Sequence, residues 1–222
     1  DGDAMVLPTR RLLEILADLR TAFPDLQRVS SYCLPRNLAK KTVEELAQLK
    51  DAGLEILYVG MESGDDEILR RVNKGETWES TRSALLKIRE AGLTSSVMVL
   101  NGLGGENLSR QHAINTATLC NETQPDYLST LVVSFPQGEE RFREGFGDDF
   151  VPLSQKGLFE EIRLFLEHLE LDKTIFRSDH ASNYLVLKGT LGRDKQKMLD
   201  QVNLAITNPG AAPLRAEWMR GL

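Results

Sequence analysis

Apolar and polar positions along this chain alternate between two periods. From Pro8 to Phe23, Leu12, Leu13, Ile15, Leu16 and Leu19 share one helical face, and Pro8 or Thr9 suits the first turn. Arg28 to Leu34 reads as a strand stopped by Pro35, and Thr42 to Ala52 as a helix closed by Gly53. Leu54 to Val59 is a short apolar run of the kind a strand buried on both faces requires. It stops at Gly60 before the polar pair Glu62-Ser63, and helices are predicted over Asp65 to Val72 and Thr77 to Ala91. Leu93 to Leu100 is the next strand, Leu108 to Cys120 the next helix, and Tyr127 to Phe135 the last clear strand.

Strands start roughly 25 to 40 residues apart, the spacing of strands joined by crossover helices, so a parallel sheet is expected. Spacing alone leaves open whether that sheet is flat or curled into a barrel. Beyond Phe135 the pattern changes. Gln137 to Pro152 is charged and glycine-rich and reads as a loop, Leu153 to Leu169 and Leu191 to Ile206 as helices, Thr174 to Leu187 as mixed, and the final residues as turn-rich. The expected division is residues 1–150 as the (β/α) portion and 151–222 as a helical carboxyl-terminal extension packed on it.

A chain of 222 residues suffices for one substantial core. Its 33 acidic against 27 basic residues leave a net charge of −6 without a basic stripe, so nucleic-acid binding gains no support. No apolar run approaches a membrane span and no leader pattern is visible. Cys33 and Cys120 are too few for a disulfide framework, which suits a reducing cytoplasm. Because Asp1 is not an initiator Met and sits where a strand would end, the chain is expected to be a piece of a longer protein.

Four segments carry a resemblance in order: Asp1 to Met5, Leu54 to Gly75, Val97 to Asn107 and Val132 to Phe142. Together they resemble the strand-end motifs of the radical S-adenosylmethionine (radical SAM) iron–sulfur enzymes. The resemblance implies a partial (β/α)6, TIM-like barrel truncated at its amino terminus. It also implies binding of S-adenosylmethionine (SAM) and, in an intact protein only, a [4Fe–4S] cluster, an electron donor and a substrate this sequence does not identify. The family's cluster loop of three cysteines is absent here, so this chain alone is expected to be inactive.

Carried over by position, Gly2 and Asp3 match the turn that meets the SAM ammonium, with a plain terminal turn as the alternative. Tyr32 matches a ribose-contacting position or is a packed strand aromatic. Glu62 and Ser63 match the pair that contacts ribose or methionine, or else cap the next helix. Lys74 matches a partner of the SAM carboxylate, or is a solvated cation. Gly102 and Gly104 match a turn that lets adenine approach the backbone, and Met98 a position beside adenine or in the core. Read without the resemblance, the Gly102 to Asn107 turn fits a phosphate at a helix start, as in a (β/α) lyase or isomerase, or a mere connection; a non-catalytic binding domain is the third reading. His112 and His168 are expected at the surface or a packed boundary. The polar run Arg177 to Asn183, with His180, either reaches a ligand or forms a bonded turn. Self-association through an exposed sheet edge is a further expectation.

Overall fold

A computed structural model describes residues 2–135, 138–147 and 150–221, with the Arg141 side chain excepted. Asp1 of the opening segment, Pro136 and Gln137 of the Val132 to Phe142 segment, and Asp148 and Asp149 of the charged segment lie outside the described residues. After a 3-10 turn at Ala4–Val6, the chain runs α1 (Thr9–Ala22), β1 (Val29–Cys33), α2 (Pro35–Leu38), α3 (Val43–Asp51) and β2 (Leu54–Glu62). It continues through α4 (Asp66–Arg71), α5 (Trp78–Glu90), β3 (Thr94–Asn101), α6 (Gly105–Thr123) and β4 (Tyr127–Val132). Then follow α7 (Glu140–Phe146), α8 (Gln155–His168), β5 (Ile175–Ser178), β6 (Leu187–Thr190) and α9 (Leu191–Thr207).

The strands form one six-stranded sheet in sequential order. β1 to β5 pair in parallel and β6 returns antiparallel on β5. Sequential order is what right-handed crossover helices produce on one face of a curling sheet. Helices start where side chains satisfy their first amides. Thr42 and Glu45 form a capping box at α3, and Thr77 and Ser80 form another at α5. Gly53 and Gly92, at φ +107° and +72°, turn the chain back into β2 and β3.

Alternation along each strand separates two faces. Leu57, Val59 and Met61 of β2, Val97 and Val99 of β3, and Leu128 of β4 are buried beneath the helices with Leu46, Leu85, Ile88, Ala117 and Phe165. The opposite face carries Tyr32, Tyr58, Gly60, Ser96, Met98, Ser129 and Arg177, and it is only half covered. Pattern reading treated β2 as buried on both faces, whereas Tyr58, Gly60 and Glu62 lie on this half-covered side.

Two expectations are corrected past Phe135. The charged segment is not wholly loop, because α7 forms within it. Phe142 and Phe146, four residues apart, stack at 4.6 Å and join Phe135 and Phe150 in a second small core. Residues 151–222 are not only helical, because β5 and β6 extend the same sheet. Phe176 in β5 is completely buried, a four-residue alternation too short to stand out from its polar neighbours.

Candidate functional site

Cross-strand register sets two rows on the half-covered face. Tyr32, Tyr58, Ser96, Tyr127 and Ile175 face one another in the first. Gly60, Met98, Ser129, Arg177 and Lys188 follow in the second, nearer the carboxyl ends of the parallel strands. Tyr32, about half exposed, packs on Tyr58 with ring centroids 5.5 Å apart. Met98 lies on this face, so it is not part of the helix-side core.

At the end of β2 the three polar and small residues Glu62, Ser63 and Gly64 do different work. The β2–β3 register slips between Gly60 and Glu62, and Glu62 adopts φ +61°. A side chain other than glycine in that region stores about 1–3 kcal/mol and marks a position the surroundings hold in place. The carboxylate folds back over Gly60 and meets Lys74 Nζ at 2.8 Å. A Cβ on Gly60 would stand 2.5 Å from Glu62 Oε1 and 3.3 Å from Lys74 Nζ, so the glycine makes the room the pair occupies. Both side chains are about one-fifth exposed, so the pair is accessible to a ligand.

Ser63 is buried and points the other way. Its Oγ accepts from the Asp65 N–H at 3.0 Å and lies 2.8 Å from His112 Nδ1. His112 Nε2 donates to the Leu100 carbonyl at 3.0 Å, which makes Nδ1 the acceptor and Ser63 the donor. Capping of α4 falls to Asp65, whose Oδ1 accepts from the Ile68 N–H at 3.0 Å. Gly64 lets the strand end cross α6. Its Cβ would lie 2.6 Å from the Asn115 carbonyl, and its N–H donates to Thr116 Oγ1 at 2.8 Å.

His112 is therefore buried, 2% exposed, which corrects the surface or boundary placement. Next to it Glu161 of α8 is equally enclosed. Its Oε1 accepts from the Gly102 N–H at 2.6 Å, while Oε2 has no hydrogen-bond partner among the described residues. Burial pushes this carboxyl above its ordinary value, against smaller opposing effects from His112, Ser109 and the Gly102 amide. The Ser63, His112 and Glu161 trio looks like a nucleophile relay in outline. It lies under the helices, away from the half-covered face, with 3.9 Å between His112 Nε2 and Glu161 Oε1, so it ties β2, α6 and α8 together.

The other matched positions are placed as follows. Gly2 is exposed at φ +90° with no atom near a Cβ. Asp3 fastens the opening turn to the end of β1: Oδ1 accepts from Met5 N, and Oδ2 from Leu34 N at 2.6 Å and Asn37 Nδ2 at 2.7 Å. Gly102, at φ +88°, would push a Cβ against Leu158 and Val133, and Gly104 against Ile68 and Leu108. Protein occupies the space around that turn. The Glu106 N–H at the start of α6 donates to the Val151 carbonyl, so that amide is not offered to a phosphate.

Arg70 and Asn73, just before Lys74 in the chain, border with Phe135 and Phe142 an open cleft of about 1030 Å³, at the scale of small-molecule sites, whose lining includes neither Glu62 nor Lys74. A SAM molecule brings an ammonium, a carboxylate and hydroxyls, and Glu62 with Lys74 offers one charge of each sign to answer them. An iron–sulfur cluster finds no such match. Cys33 and Cys120 sit in different elements, both buried, and burial raises both thiols, that of Cys120 up to about 12. Among the described residues no group of three or more His, Cys, Asp or Glu is placed to hold a metal ion.

Sequence reading missed the buried His112 and Glu161 and the support around Arg177. For His112 a signal existed, since His112, Ala113, Thr116, Ala117 and Cys120 follow the 3.6 period that marks the inner face of α6. Glu161 had one too, standing between Leu158, Ile162 and Phe165 on the inner face of α8, but a carboxylate there reads as solvent-facing whatever the period around it.

The sequence pattern of the Radical SAM superfamily matches residues 2–117, just over half of the chain, and the chain belongs to that family. A curated relative, "Probable threonylcarbamoyladenosine tRNA methylthiotransferase" of Methanocaldococcus jannaschii, is 26% identical over 125 residues, 54% of this chain and 28% of its own length. Among solved structures, an Elp3 with an amino-terminal deletion from Methanocaldococcus infernus aligns with a TM-score of 0.63 and 15% identity. That alignment covers 92% of this chain and 53% of that one. HemN, the coproporphyrinogen III oxidase of Escherichia coli, described as a radical SAM enzyme, aligns with a TM-score of 0.60 and 22% identity. There the cover is 75% of this chain and 38% of that one. The chain thus has the α/β fold of a truncated barrel of this family and spans about half or less of these relatives' lengths. No described helix is long and apolar enough to cross a membrane.

Proposed function

We propose that this chain is the SAM-binding portion of a radical SAM iron–sulfur enzyme, working with a cluster held by residues outside it. The observation that carries the reading is the Glu62 and Lys74 pair folded over Gly60 at 2.8 Å, accessible at the carboxyl end of a parallel strand where α/β barrels bind ligands. When bound, SAM supplies on one-electron reduction a 5′-deoxyadenosyl radical that takes hydrogen from a substrate. The chain's part is to bind and orient. Lys74 answers the carboxylate of the methionine moiety, Glu62 its ammonium or the ribose hydroxyls, and Met98 with Tyr58 lines the sheet beneath. Gly2 and Asp3 position β1 at the rim, and the covered Gly102 and Gly104 turn backs the site. An electron donor and a cytoplasmic setting belong to the same reading.

The tRNA named for the curated relative is not carried over, because a net charge of −6 provides no basic stripe for a phosphate backbone. Calorimetric titration of SAM into the intact, anaerobically prepared protein tests the proposal. Glu62→Ala and Lys74→Met are expected to weaken SAM at least about tenfold each, as loss of charge-assisted contacts does, with the fold retained. Unchanged affinity in both variants would overturn the assignment of this pair.

A further inference from the structure

The polar run Arg177 to Asn183 is the one sequence feature that the SAM reading leaves unused, and its bonding separates support from display. Ser178 and Asn183 are buried and pinned to Thr130 of β4: Thr130 Oγ1 donates to Ser178 Oγ at 2.7 Å, and Asn183 Nδ2 donates to the Thr130 carbonyl at 2.7 Å. Ser182 Oγ accepts from the Val132 N–H at 3.1 Å, and His180 Nδ1 accepts from the Ser182 N–H at 3.1 Å. Arg215 donates to the backbone carbonyls of Asp179, His180 and Asn183, and Arg220 to that of Ser182. Asp179 pairs with Lys188 at 2.6 Å.

Arg177 is what this scaffold leaves over. It is exposed on the half-covered face, in the row that begins at Gly60 and passes Met98 and Ser129. Three strand spacings separate it from Gly60, about 14 Å. Its guanidinium lies over the Tyr127 ring, 5.6 Å from the centroid, and makes no hydrogen bond or ion pair with any described residue. Attraction to the ring face holds the guanidinium there, and a planar fork of N–H donors is the shape that takes an oxyanion in two bonds. Lys188, directly across on β6, makes the close pair with Asp179, which Arg177 reaches only through space, so the Arg177 donors stay free for a ligand.

We propose that Arg177 is a substrate-specificity residue: it binds an anionic group, carboxylate or phosphate, on a substrate lying along the row from Gly60 to Lys188. This rests on the SAM reading and adds the chemical class of the second ligand. Because the substrate is unidentified, the probes are inorganic phosphate and benzoate. Phenylglyoxal labelling of the full chain, followed residue by residue by mass spectrometry, reads occupancy at Arg177 against exposed Arg10. Phosphate or benzoate, whichever chemistry the site prefers, is expected to slow labelling of Arg177 saturably, about fivefold at four times the dissociation constant, and to leave Arg10 unchanged. Tyr127→Leu, which removes the ring beneath the guanidinium, is expected to abolish that protection with Arg177 still labelled. Equal labelling of Arg177 with and without both anions, or protection unaltered in Tyr127→Leu, would overturn the inference. The SAM titration is separate: loss of SAM binding with Arg177 protection intact would sink the SAM reading alone.

Discussion

Glu62, Ser63 and Gly64 show how three consecutive residues divide their labour by the direction each one faces. Ser63→Ala removes the hydroxyl that bridges His112 and the Asp65 amide, leaving a buried donor and acceptor unpaired, and is expected to lower stability by about 1–3 kcal/mol. Glu62→Ala, which keeps the strained φ because alanine still carries a Cβ and breaks only a partly exposed pair, is expected to change stability by less than about 1 kcal/mol. Chemical denaturation of both variants checks this contrast; a larger loss for Glu62 would mean that the pair holds the fold. Glu161 adds a pH signature. Its folded pKa is raised by burial above the unfolded carboxylate value, so the folded chain keeps the proton where the unfolded chain releases it. Stability therefore falls as pH rises from the ordinary glutamate range through the raised folded value, and Glu161→Gln should flatten that decline. Denaturation midpoints between pH 4 and 8 for the two proteins decide it.

Among elements, the contact that positions the site is the crossing of β2 with α6. Gly64→Ala would set a methyl against the Asn115 carbonyl and the Thr116 backbone, where neither a helix backbone nor a strand end can move aside cheaply. The expected loss is about 1–3 kcal/mol, with weaker SAM binding as Glu62 shifts. A Gly64→Ala protein with unaltered melting would show that the crossing has slack. Elements differed in how openly the chain announced them. Both Ala-Gly stops, the helical stripes of α1 and α8, and the runs of β2 and β3 were legible, since period and punctuation are local properties. α7, β5 and β6 were not. Each is too short for a period, and each is held by partners outside itself: α7 by Ile68, Leu103 and Arg71, β5 by pairing with β4, β6 by pairing with β5.

For the whole molecule, the sheet is open, with β1 and β6 at its edges. Among the described residues β1 pairs only with β2, so its other side presents a row of backbone donors and acceptors beside exposed Tyr32. The isolated chain is expected to associate with rising concentration, which light scattering over a dilution series would register. A monomer throughout would mean that this edge is already protected. Iron and sulfide analysis gives a second expectation: about one [4Fe–4S] cluster per intact protein and none on this chain, whose two thiols are buried. Stoichiometric iron on the chain alone would refute it.

By itself the sequence determined the parallel α/β order, the approximate bounds of the long elements and the strand-end position of Glu62, because periodicity, capping residues and glycine stops act within a few residues of one another. Only the tertiary structure decided which way each strand-end side chain points. It turned Ser63 inward to His112, closed protein around Gly102 and Gly104, buried Glu161, and left Arg177 over the Tyr127 ring with no hydrogen bond to any described residue. Orientation depends on register and on which helix covers a face, and those are set by contacts between residues tens of positions apart, where no local pattern reaches.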